Sequence, residues 1–414
     1  MHPPTNPPRR RRAVALALAA LAAVTVTATT GTAGAASADA GPSAAPVPAP
    51  AAKTAVHGPR GSLLSVRPLT GAAALPSAAR NRLVTYVSED ARGRPIAVSG
   101  TVSLPRTRPP AGGWPVISWA HGTTGTADVC APSADTPAGP VHDYLSLMDR
   151  TLDAWVARGF AVVQTDYEGL GTPGEHPYMN GRSAANTVLD MVRAARGLDH
   201  GVGRDWFAIG HSQGGHAALF SAATENTRRD VRLLGAVAIA PGGMGLSQTA
   251  PYIQAGGPGA QAALAFLPTL LIGASAADPA VVPDALLTPE AKPLLTAGRT
   301  GCLAQIREVA ATIPVNNVFA QGADLGPLTR YLQTQEPAGI AVRVPTLVAQ
   351  GTDDALVSKQ STDHLVGTMC AKAKKVDYRV YQGADHRAAV AASFGDALEF
   401  VNALRAGRTP ASTC

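Results

Sequence analysis

A serine stands between two glycines in the segment FAIGHSQGGHAALF, residues 207–220. Ser212 is the centre of a Gly-x-Ser-x-Gly pattern formed with Gly210 and Gly214, which alone is a weak signal in a chain with 42 glycines. Its surroundings strengthen it, because DWFAI before it predicts a short strand and QGGHAALFSAATE after it predicts a helix. So tight a strand-to-helix turn excludes side chains two residues either side, and it predicts an exposed serine hydroxyl on a strained backbone.

A serine hydroxyl attacks a carbonyl only with a neighbouring base, normally a histidine that a carboxylate orients. In this strand order both partners are expected later in the chain, the carboxylate first. The segment PTLVAQGTDDALV predicts a strand and turn that end in Asp354, with Asp353 as the alternative acid. His386 follows the last predicted strand and is the predicted base. These residues together predict acyl transfer with Ser212 as the nucleophile.

Acyl transfer also needs hydrogen-bond donors for the oxyanion that forms at the carbonyl. The backbone N–H of Gln213, at the start of the helix behind the serine, is the first predicted donor. The second is expected in the loop AHGTTG, from Thr123, with Thr124 as the alternative donor and a simple turn as the other interpretation. His211 and His216, on either side of the serine, are interpreted as structural residues.

Alternating strands and helices must position these groups. RLVTYVSED and PIAVSGTVSL predict an antiparallel pair, and WPVISWAHG, FAVVQTDYEG, DWFAIGHS, LLGAVAIA and PTLVAQG predict buried strands separated by helices. This pattern predicts an α/β fold of the α/β-hydrolase type: a mostly parallel central sheet with helices on both faces. Ligands bind at the carboxyl ends of the strands in such sheets, which is where the predicted site residues fall.

The alternation stops in the middle of the chain. Residues 61–240 and 345–414 are predicted to form the α/β-hydrolase core, and residues 241–344 a largely helical lid inserted into it. Residues 233–277 contain no charged side chain, but glycine and proline interrupt them too often for stable insertion into a membrane. The alternative to a lid is ordinary packing of buried helices.

The amino terminus predicts secretion. Four arginines at positions 9–12 precede an uncharged apolar stretch, residues 13–26, and a small-residue cleavage site, ASA. This is the pattern of a secretory signal peptide over residues 1–38, and both the general and the twin-arginine export routes remain open. Residues 39–60 are rich in alanine and proline and are predicted to be a disordered spacer.

Two other classes of function fit the sequence poorly. Removal of the signal peptide lowers the formal charge from +6 to +2, and aromatic residues make up only 5%, so nucleic-acid binding is excluded. The segment GLGTPG, residues 169–174, fits the glycine pattern of a dinucleotide-dependent oxidoreductase. That pattern needs a helix starting at the glycines, which Pro173 and Pro177 prevent, and the expected ribose-binding acid, Asp190, falls inside a predicted helix.

Four cysteines leave the cytosol with this chain and are therefore expected to form two disulfides. Metal binding is not expected, since no two of them have the close spacing of zinc ligands. Their positions leave three connectivities open. The four residues are Cys130, Cys302, Cys370 and Cys414.

Three segments together resemble the secretory lipase family, α/β-hydrolases of fungi and actinobacteria with a large lid over the acyl pocket. They are HGTTGTADVCAPS, TDYEGLGTPGEHPYMNG and GHSQGGHAAL, and the resemblance extends from about residue 61 to residue 405. It implies a secreted, extracellular carboxylic ester hydrolase that acts on triacylglycerol and needs neither metal nor organic cofactor. It also implies a catalytic triad of Ser212, Asp354 and His386.

The same resemblance implies a disulfide pattern. In that family one bridge ties the oxyanion loop to the lid and another closes the carboxyl terminus, which implies that Cys130 pairs with Cys302 and Cys370 with Cys414. HGTTG is the bacterial form of the oxyanion loop, and fungal members differ there, so Thr123 is the residue that transfers least directly.

The expected substrate is a lipid or another ester, with an oil–water interface as a candidate place of action. A carboxylesterase or polyester hydrolase of the same fold is the alternative, as are a peptidase, an acyltransferase and a non-enzymatic binding protein that would lack a triad residue. A long acyl chain gains about 0.8 kcal/mol per buried methylene, so the apolar insertion favours lipid-like esters.

Overall fold

The structure is a computed structural model that describes residues 56–224, 229–372 and 375–414. The predicted signal peptide and most of the predicted spacer lie outside the described residues. Arg60, in the predicted spacer, donates hydrogen bonds to the carboxylates of Asp190 (2.8 Å) and Glu89 (3.1 Å). The end of the predicted spacer therefore binds to the core.

Nine strands of the described chain form one sheet in the order β1-β2-β3-β5-β4-β6-β7-β8-β9. The first three and β5 pair antiparallel, and every pair from β5 to β9 is parallel, as the alternating pattern predicts. β1 was not predicted, because its edge position exposes nearly all of LLSVRP and leaves no apolar alternation. The strands are β1 Leu63–Pro68, β2 Ala78–Glu89, β3 Pro95–Pro105, β4 Trp114–Ala120, β5 Ala161–Thr165, β6 Val202–His211, β7 Arg232–Ile239, β8 Thr346–Gly351 and β9 Val376–Tyr381.

Helices cover both faces of this sheet. Thirteen α-helices lie in the described residues: α1 His142–Ala157, α2 Gly181–Leu198, α3 Gln213–Ala223, α4 Thr249–Gln254, α5 Ala260–Ala263, α6 Leu267–Ala277, α7 Pro283–Leu286, α8 Pro293–Thr300, α9 Leu303–Thr312, α10 Gly326–Thr334, α11 Lys359–Lys372, α12 Ala388–Ala392 and α13 Phe394–Arg405. One apolar cluster joins the sheet to α2, α3 and α11, and another joins it to α1, α12 and α13. The expected α/β-hydrolase architecture is confirmed.

The seven helices α4 to α10 form the insertion between β7 and β8. They share an apolar cluster of their own, to which the loop after β5 contributes Tyr178 and Met179. Within the described ranges, Ala260–Ala277 has the length and mean hydropathy, 1.6, of a membrane span, and 61% of it is buried inside the protein. This segment forms α5, a 3-10 turn and α6, and it is a main part of the insertion's core.

Two disulfides link distant parts of the chain. Cys130 is bonded to Cys302, with 5.5 Å between their Cα atoms, and Cys370 is bonded to Cys414, with 5.2 Å. The first bridge joins the loop after β4 to the residue that precedes α9 in the insertion. The second joins α11 to the carboxyl terminus. Among the three connectivities left open by the sequence, this is the one that the family resemblance implies.

Candidate active site

The turn from β6 to α3 holds Ser212 in a left-handed conformation, with φ 59° and ψ −116°. A Cβ atom at Gly210 would overlap the carbonyl oxygen of Gly214, and one at Gly214 would overlap that of Ala120. The predicted steric need for both glycines is therefore confirmed. A non-glycine residue in this conformation is strained, and the surrounding backbone holds it, since the Ser212 N–H donates to the carbonyl of Ile239 (2.9 Å).

Asp354 and His386 meet above the carboxyl end of β8. The Nδ1–H of His386 donates to an Asp354 carboxylate oxygen at 2.7 Å. The other oxygen of Asp354 accepts from the backbone N–H groups of Leu356 (2.9 Å) and Val357 (2.8 Å). Burial raises the pKa of Asp354, but the hydrogen bond and charge of His386 and these N–H groups outweigh it and lower the pKa. The carboxylate is therefore held in its charged form.

The adjacent acid lies elsewhere. Asp353 is exposed and accepts a hydrogen bond from the hydroxyl of Thr352 at 2.9 Å. Of the two predicted alternatives, Asp354 is the one in contact with His386.

Ser212 and His386 line the same cavity, which has a volume of about 410 Å³. Among the described residues, no hydrogen bond joins the Ser212 hydroxyl to the imidazole. Because Nδ1 of His386 donates to Asp354, the lone pair of its Nε2 is free to accept a proton. The structure thus joins Asp354 to His386 and places Ser212 in the cavity that His386 lines, with the serine hydroxyl not bonded to the ring.

Two candidate oxyanion donors lie beside Ser212. Gln213 is the first residue of α3, so its N–H has no acceptor in the preceding turn of the helix. Thr123 lines the cavity, and its hydroxyl is 2.7 Å from that of Tyr178. The alternative, Thr124, is not a lining residue, and its carbonyl accepts from the Leu303 N–H (2.8 Å) in the insertion.

Most of the apolar side chains that line the large cavity belong to the insertion. A second cavity, of about 50 Å³, also touches Ser212 and His386 and is bordered by Arg307 and Arg387. Ser212 therefore borders both a cavity rich in apolar side chains and a smaller one with two cationic side chains at its edge. The apolar residues that line the large cavity are Pro241, Met244, Leu246, Ala262, Ala263, Phe266 and Leu270 from the insertion, together with Met179, Ala355, Leu356 and Val357 from the core.

Three side chains that the sequence did not single out contact this site. The Tyr178 hydroxyl meets Thr123, the Nε2 of His176 is 3.0 Å from the Gln213 side-chain nitrogen, and the Tyr144 hydroxyl accepts from the N–H of Gly122 at 2.8 Å. His176 and Tyr178 belong to the segment TDYEGLGTPGEHPYMNG, which follows β5 at the carboxyl ends of the strands. That position could have indicated from the sequence that both residues lie near the site. Tyr144 comes from α1, where its spacing predicts only a buried helix position.

The glycines of the dinucleotide-like pattern form a loop and not a helix start. Gly169 and Gly171 have positive φ values, 69° and 67°, and the next helix, α2, begins only at Gly181. Asp190 is buried inside α2 and accepts hydrogen bonds from Arg60 and Ser88. Within the described residues, no group of three or more His, Cys, Asp or Glu side chains is arranged to hold a metal ion.

This chain is similar to known lipases and esterases. A family profile described as secretory lipase matches residues 146–413. Lipase A of Moesziomyces aphidis is 25% identical over 359 residues, 80% of this chain and 73% of that protein. The crystal structure of Candida antarctica lipase A matches with a TM-score of 0.72 and 20% identity over 86% of this chain and 84% of that one. The rice cell wall degrading esterase LipA from Xanthomonas oryzae matches with a TM-score of 0.65 and 19% identity, over 85% of this chain and 100% of that one.

The sheet order and these structural matches define an α/β-hydrolase. The family profile covers well over half of the chain, so the protein belongs to the secretory lipase family and is a carboxylic ester hydrolase. Its substrates are lipids or other esters, and secretion agrees with the family's description.

Proposed function

We propose that this protein is a secreted lipase that hydrolyses acylglycerols with Ser212 as nucleophile, His386 as general base and Asp354 as the acid that orients the base. The observation that carries the proposal is the strained Ser212 elbow in the same cavity as His386, which is hydrogen-bonded to Asp354. The proposed mechanism uses neither a metal nor an organic cofactor.

In this mechanism the Ser212 side chain turns toward Nε2 of His386, since hydrogen bonds of this kind often form only with substrate present. The imidazole takes the serine proton as Oγ attacks the ester carbonyl. Asp354 keeps the proton on Nδ1 and stabilises the imidazolium that forms.

The backbone N–H groups of Gln213 and Thr123 then stabilise the oxyanion of the tetrahedral intermediate. His386 gives its proton to the departing alcohol, which leaves Ser212 esterified with the acyl group. Water, activated by the same imidazole, hydrolyses this acyl-enzyme and restores the serine.

The apolar lining of the large cavity supports an acyl chain as its occupant, and with it an acylglycerol lipid, met at an oil–water interface, as substrate. Residues 61–240 and 345–414 then act as the catalytic core and residues 241–344 as its lid. A short-chain carboxylesterase or polyester hydrolase is the second candidate. It is favoured by the structural match to LipA of Xanthomonas oryzae, whose name describes a cell wall degrading esterase.

Replacing Ser212 with alanine tests the proposed nucleophile. We expect S212A to lower kcat for p-nitrophenyl butyrate by at least ~10⁴-fold, because the acyl-enzyme can no longer form. The matched control is S221A, which removes a serine of α3 whose hydroxyl donates to the Ala217 carbonyl of the same helix at 2.8 Å. Both variants should keep the wild-type circular dichroism spectrum. An S212A protein with wild-type turnover would refute the assignment.

Secretion by cleavage of residues 1–38 is also part of the proposal. The secreted protein should begin near Asp39, because small residues at positions 36 and 38 suit the signal peptidase. Amino-terminal sequencing of protein from the culture medium measures this directly. An intact amino terminus on the secreted chain would contradict it.

A further inference from the structure

A buried chain of hydrogen bonds connects the loop after β4 to the loop that carries His386. The backbone N–H of Gly122 donates to the Tyr144 hydroxyl at 2.8 Å. That hydroxyl is 3.0 Å from Nδ1 of His211, and Nε2 of His211 is 2.8 Å from the carbonyl oxygen of His386. Tyr144 lies on α1, and His211 is the last residue of β6, directly before Ser212.

Donor and acceptor chemistry gives this chain one direction. The Gly122 N–H can only donate, so the Tyr144 oxygen accepts and its own proton points to His211. At the other end the His386 carbonyl can only accept, so Nε2 of His211 must carry a proton. His211 is therefore neutral, with its proton on Nε2, and each of its nitrogens has a partner.

We propose that Tyr144 and His211 are positioning residues that hold the loop of the oxyanion donor and the loop of the base at a set distance on either side of Ser212. The proposal rests on the proposed function. It assigns the two residues no contact with the reacting atoms: Tyr144 acts through Gly122, which precedes Thr123, and His211 acts through the backbone of His386.

Electrostatics supports a neutral His211 beside the base. Its ring packs against that of His386, with 4.5 Å between the ring centroids, so a second positive charge there would oppose formation of the imidazolium. Burial and the nearby His386 lower the pKa of His211 to about 3, against smaller effects from the His386 carbonyl and Asp354 that raise it. Burial also raises the pKa of Tyr144, so the Tyr144 hydroxyl keeps its proton beside a neutral His211.

The arrangement is more specific than filling a buried space requires. Tyr144 is 6% exposed and His211 1%, and apolar side chains of similar size would avoid the cost of burying polar groups. Apart from the bond between them, Tyr144 bonds the backbone of Gly122, next to the proposed donor Thr123, and His211 bonds the backbone of His386. Arg387 lies over the Tyr144 ring, with its guanidinium 5.5 Å from the ring centroid, and pairs with Asp143 at 3.0 Å.

Two substitutions at His211 separate positioning from packing. H211L keeps the approximate volume but loses both bonds, and we expect kcat for p-nitrophenyl butyrate to fall on the order of 10²-fold with little change in KM, because the base loop shifts. H211Q retains both bonds, since a glutamine amide accepts through its oxygen and donates through its nitrogen. We expect H211Q to recover kcat to within about tenfold of wild type.

His216 provides the matched control. It is buried on α3, and its Nε2 is 2.8 Å from the Gln335 carbonyl, a contact with the insertion and not with the base loop. We expect H216L to lower the midpoint of thermal unfolding while kcat stays within about threefold of wild type, because its bond lies outside the positioning chain. A loss of kcat in H216L as large as that in H211L would mean that any buried histidine near α3 matters equally.

Variants at Tyr144 test whether Tyr144 and His211 act as one unit. Y144F removes the acceptor of the Gly122 N–H and the donor to His211, and it should lower kcat without raising KM. If the chain acts as a whole, the Y144F/H211L double variant loses little more than the worse single variant. Y144F and H211Q also decide the question should H211L fail to fold.

Four results would overturn the proposal: wild-type kcat in H211L or Y144F, equal losses in H211Q and H211L, a loss in H216L as large as that in H211L, or losses that multiply in the double variant. The outcome is distinguishable from failure of the proposed function. An active S212A protein refutes the nucleophile, whereas an inactive S212A with fully active H211L and Y144F refutes only the positioning chain.

Discussion

Asp353 and Asp354 are adjacent in the sequence but have different environments. Asp354 is 5% exposed and bonds to His386, whereas Asp353 points into solvent and bonds to its neighbour Thr352. The backbone N–H groups of Leu356 and Val357 hold one oxygen of Asp354, which leaves the other for the imidazole. The position of each residue in the turn after β8 therefore decides which of two chemically identical side chains reaches His386.

This distinction predicts different results for two otherwise identical substitutions. D354N should lower kcat about 10⁴-fold, because an amide in that place holds the wrong tautomer of His386. D353N is the control and should leave kcat within about threefold, since its carboxylate is exposed. Steady-state kinetics with p-nitrophenyl butyrate measures both, and the reverse order of losses would make Asp353 the orienting acid.

Four histidines near the site are buried and neutral, and their roles differ from that of His386. Burial is the main cause that lowers the pKa of His121 and His216 to about 4 and of His176 and His211 to about 3. They hold loops through hydrogen bonds to backbone carbonyls. The sequence-based interpretation of His211 and His216 as structural agrees with these contacts.

At the scale of elements, the site is assembled where β6 turns into α3 and where the insertion covers the carboxyl ends of the strands. The turn presents Ser212, and α4 to α6 with their neighbouring loops supply most of the apolar wall of the large cavity. In the proposed mechanism the core therefore carries the reacting groups, and the insertion sets the space for the substrate.

Filling the large cavity should therefore change chain-length preference and leave the chemistry intact. M244W places a bulky ring in the cavity wall, and displacing even two methylenes of a long acyl chain costs about 1.6 kcal/mol, or ~15-fold in kcat/KM. We expect that loss for p-nitrophenyl palmitate and little loss for p-nitrophenyl acetate.

Val282, on the insertion and 53% exposed, provides the control V282W, which should leave both rates unchanged. A parallel assay with emulsified tributyrin and triolein distinguishes a lipase from a short-chain esterase. Equal losses for acetate and palmitate in M244W would show that the cavity does not hold the acyl chain.

At the scale of the whole molecule, stability comes from three apolar clusters and two disulfides. Asp149 on α1 opposes it. Burial raises the pKa of this carboxyl to about 7, and the negative charges of Asp135 and Asp153 add to the rise while His142 reduces it. The folded protein thus keeps a proton on Asp149 that the unfolded chain releases near the ordinary pKa of an aspartic acid, 3.8.

Asp149 therefore makes the folded protein less stable as the pH rises. Below about pH 4 both states hold the proton and Asp149 has no effect, and as pH rises toward about 7 its contribution lowers the free energy of unfolding. D149N, which stays uncharged, should be more stable than wild type by on the order of 2 kcal/mol at about pH 8, with the difference vanishing near pH 4.

Urea unfolding at both pH values measures the difference, with exposed Asp128 changed to asparagine as the control. A D149N protein less stable than wild type at the higher pH would contradict the prediction.

The sequence by itself determined the fold class and the identity of the candidate catalytic residues. Hydrophobic periodicity and the tight Gly-x-Ser-x-Gly turn are local properties, and they depend on residues close together in the chain. The order Ser212, Asp354, His386 followed from the order of strands and helices. Nearly all of the sheet was predictable for the same reason, with β1 the exception, because an exposed edge strand has no apolar face to reveal it.

Only the tertiary structure decided which distant residues meet. It selected one of three disulfide connectivities, bound Arg60 to Asp190 across 130 residues of sequence, and brought Tyr144 against His211 and Gly122. It also shaped the apolar cavity from the insertion. Such contacts depend on how elements pack, and the pattern of any one segment carries no record of which partner will lie against it.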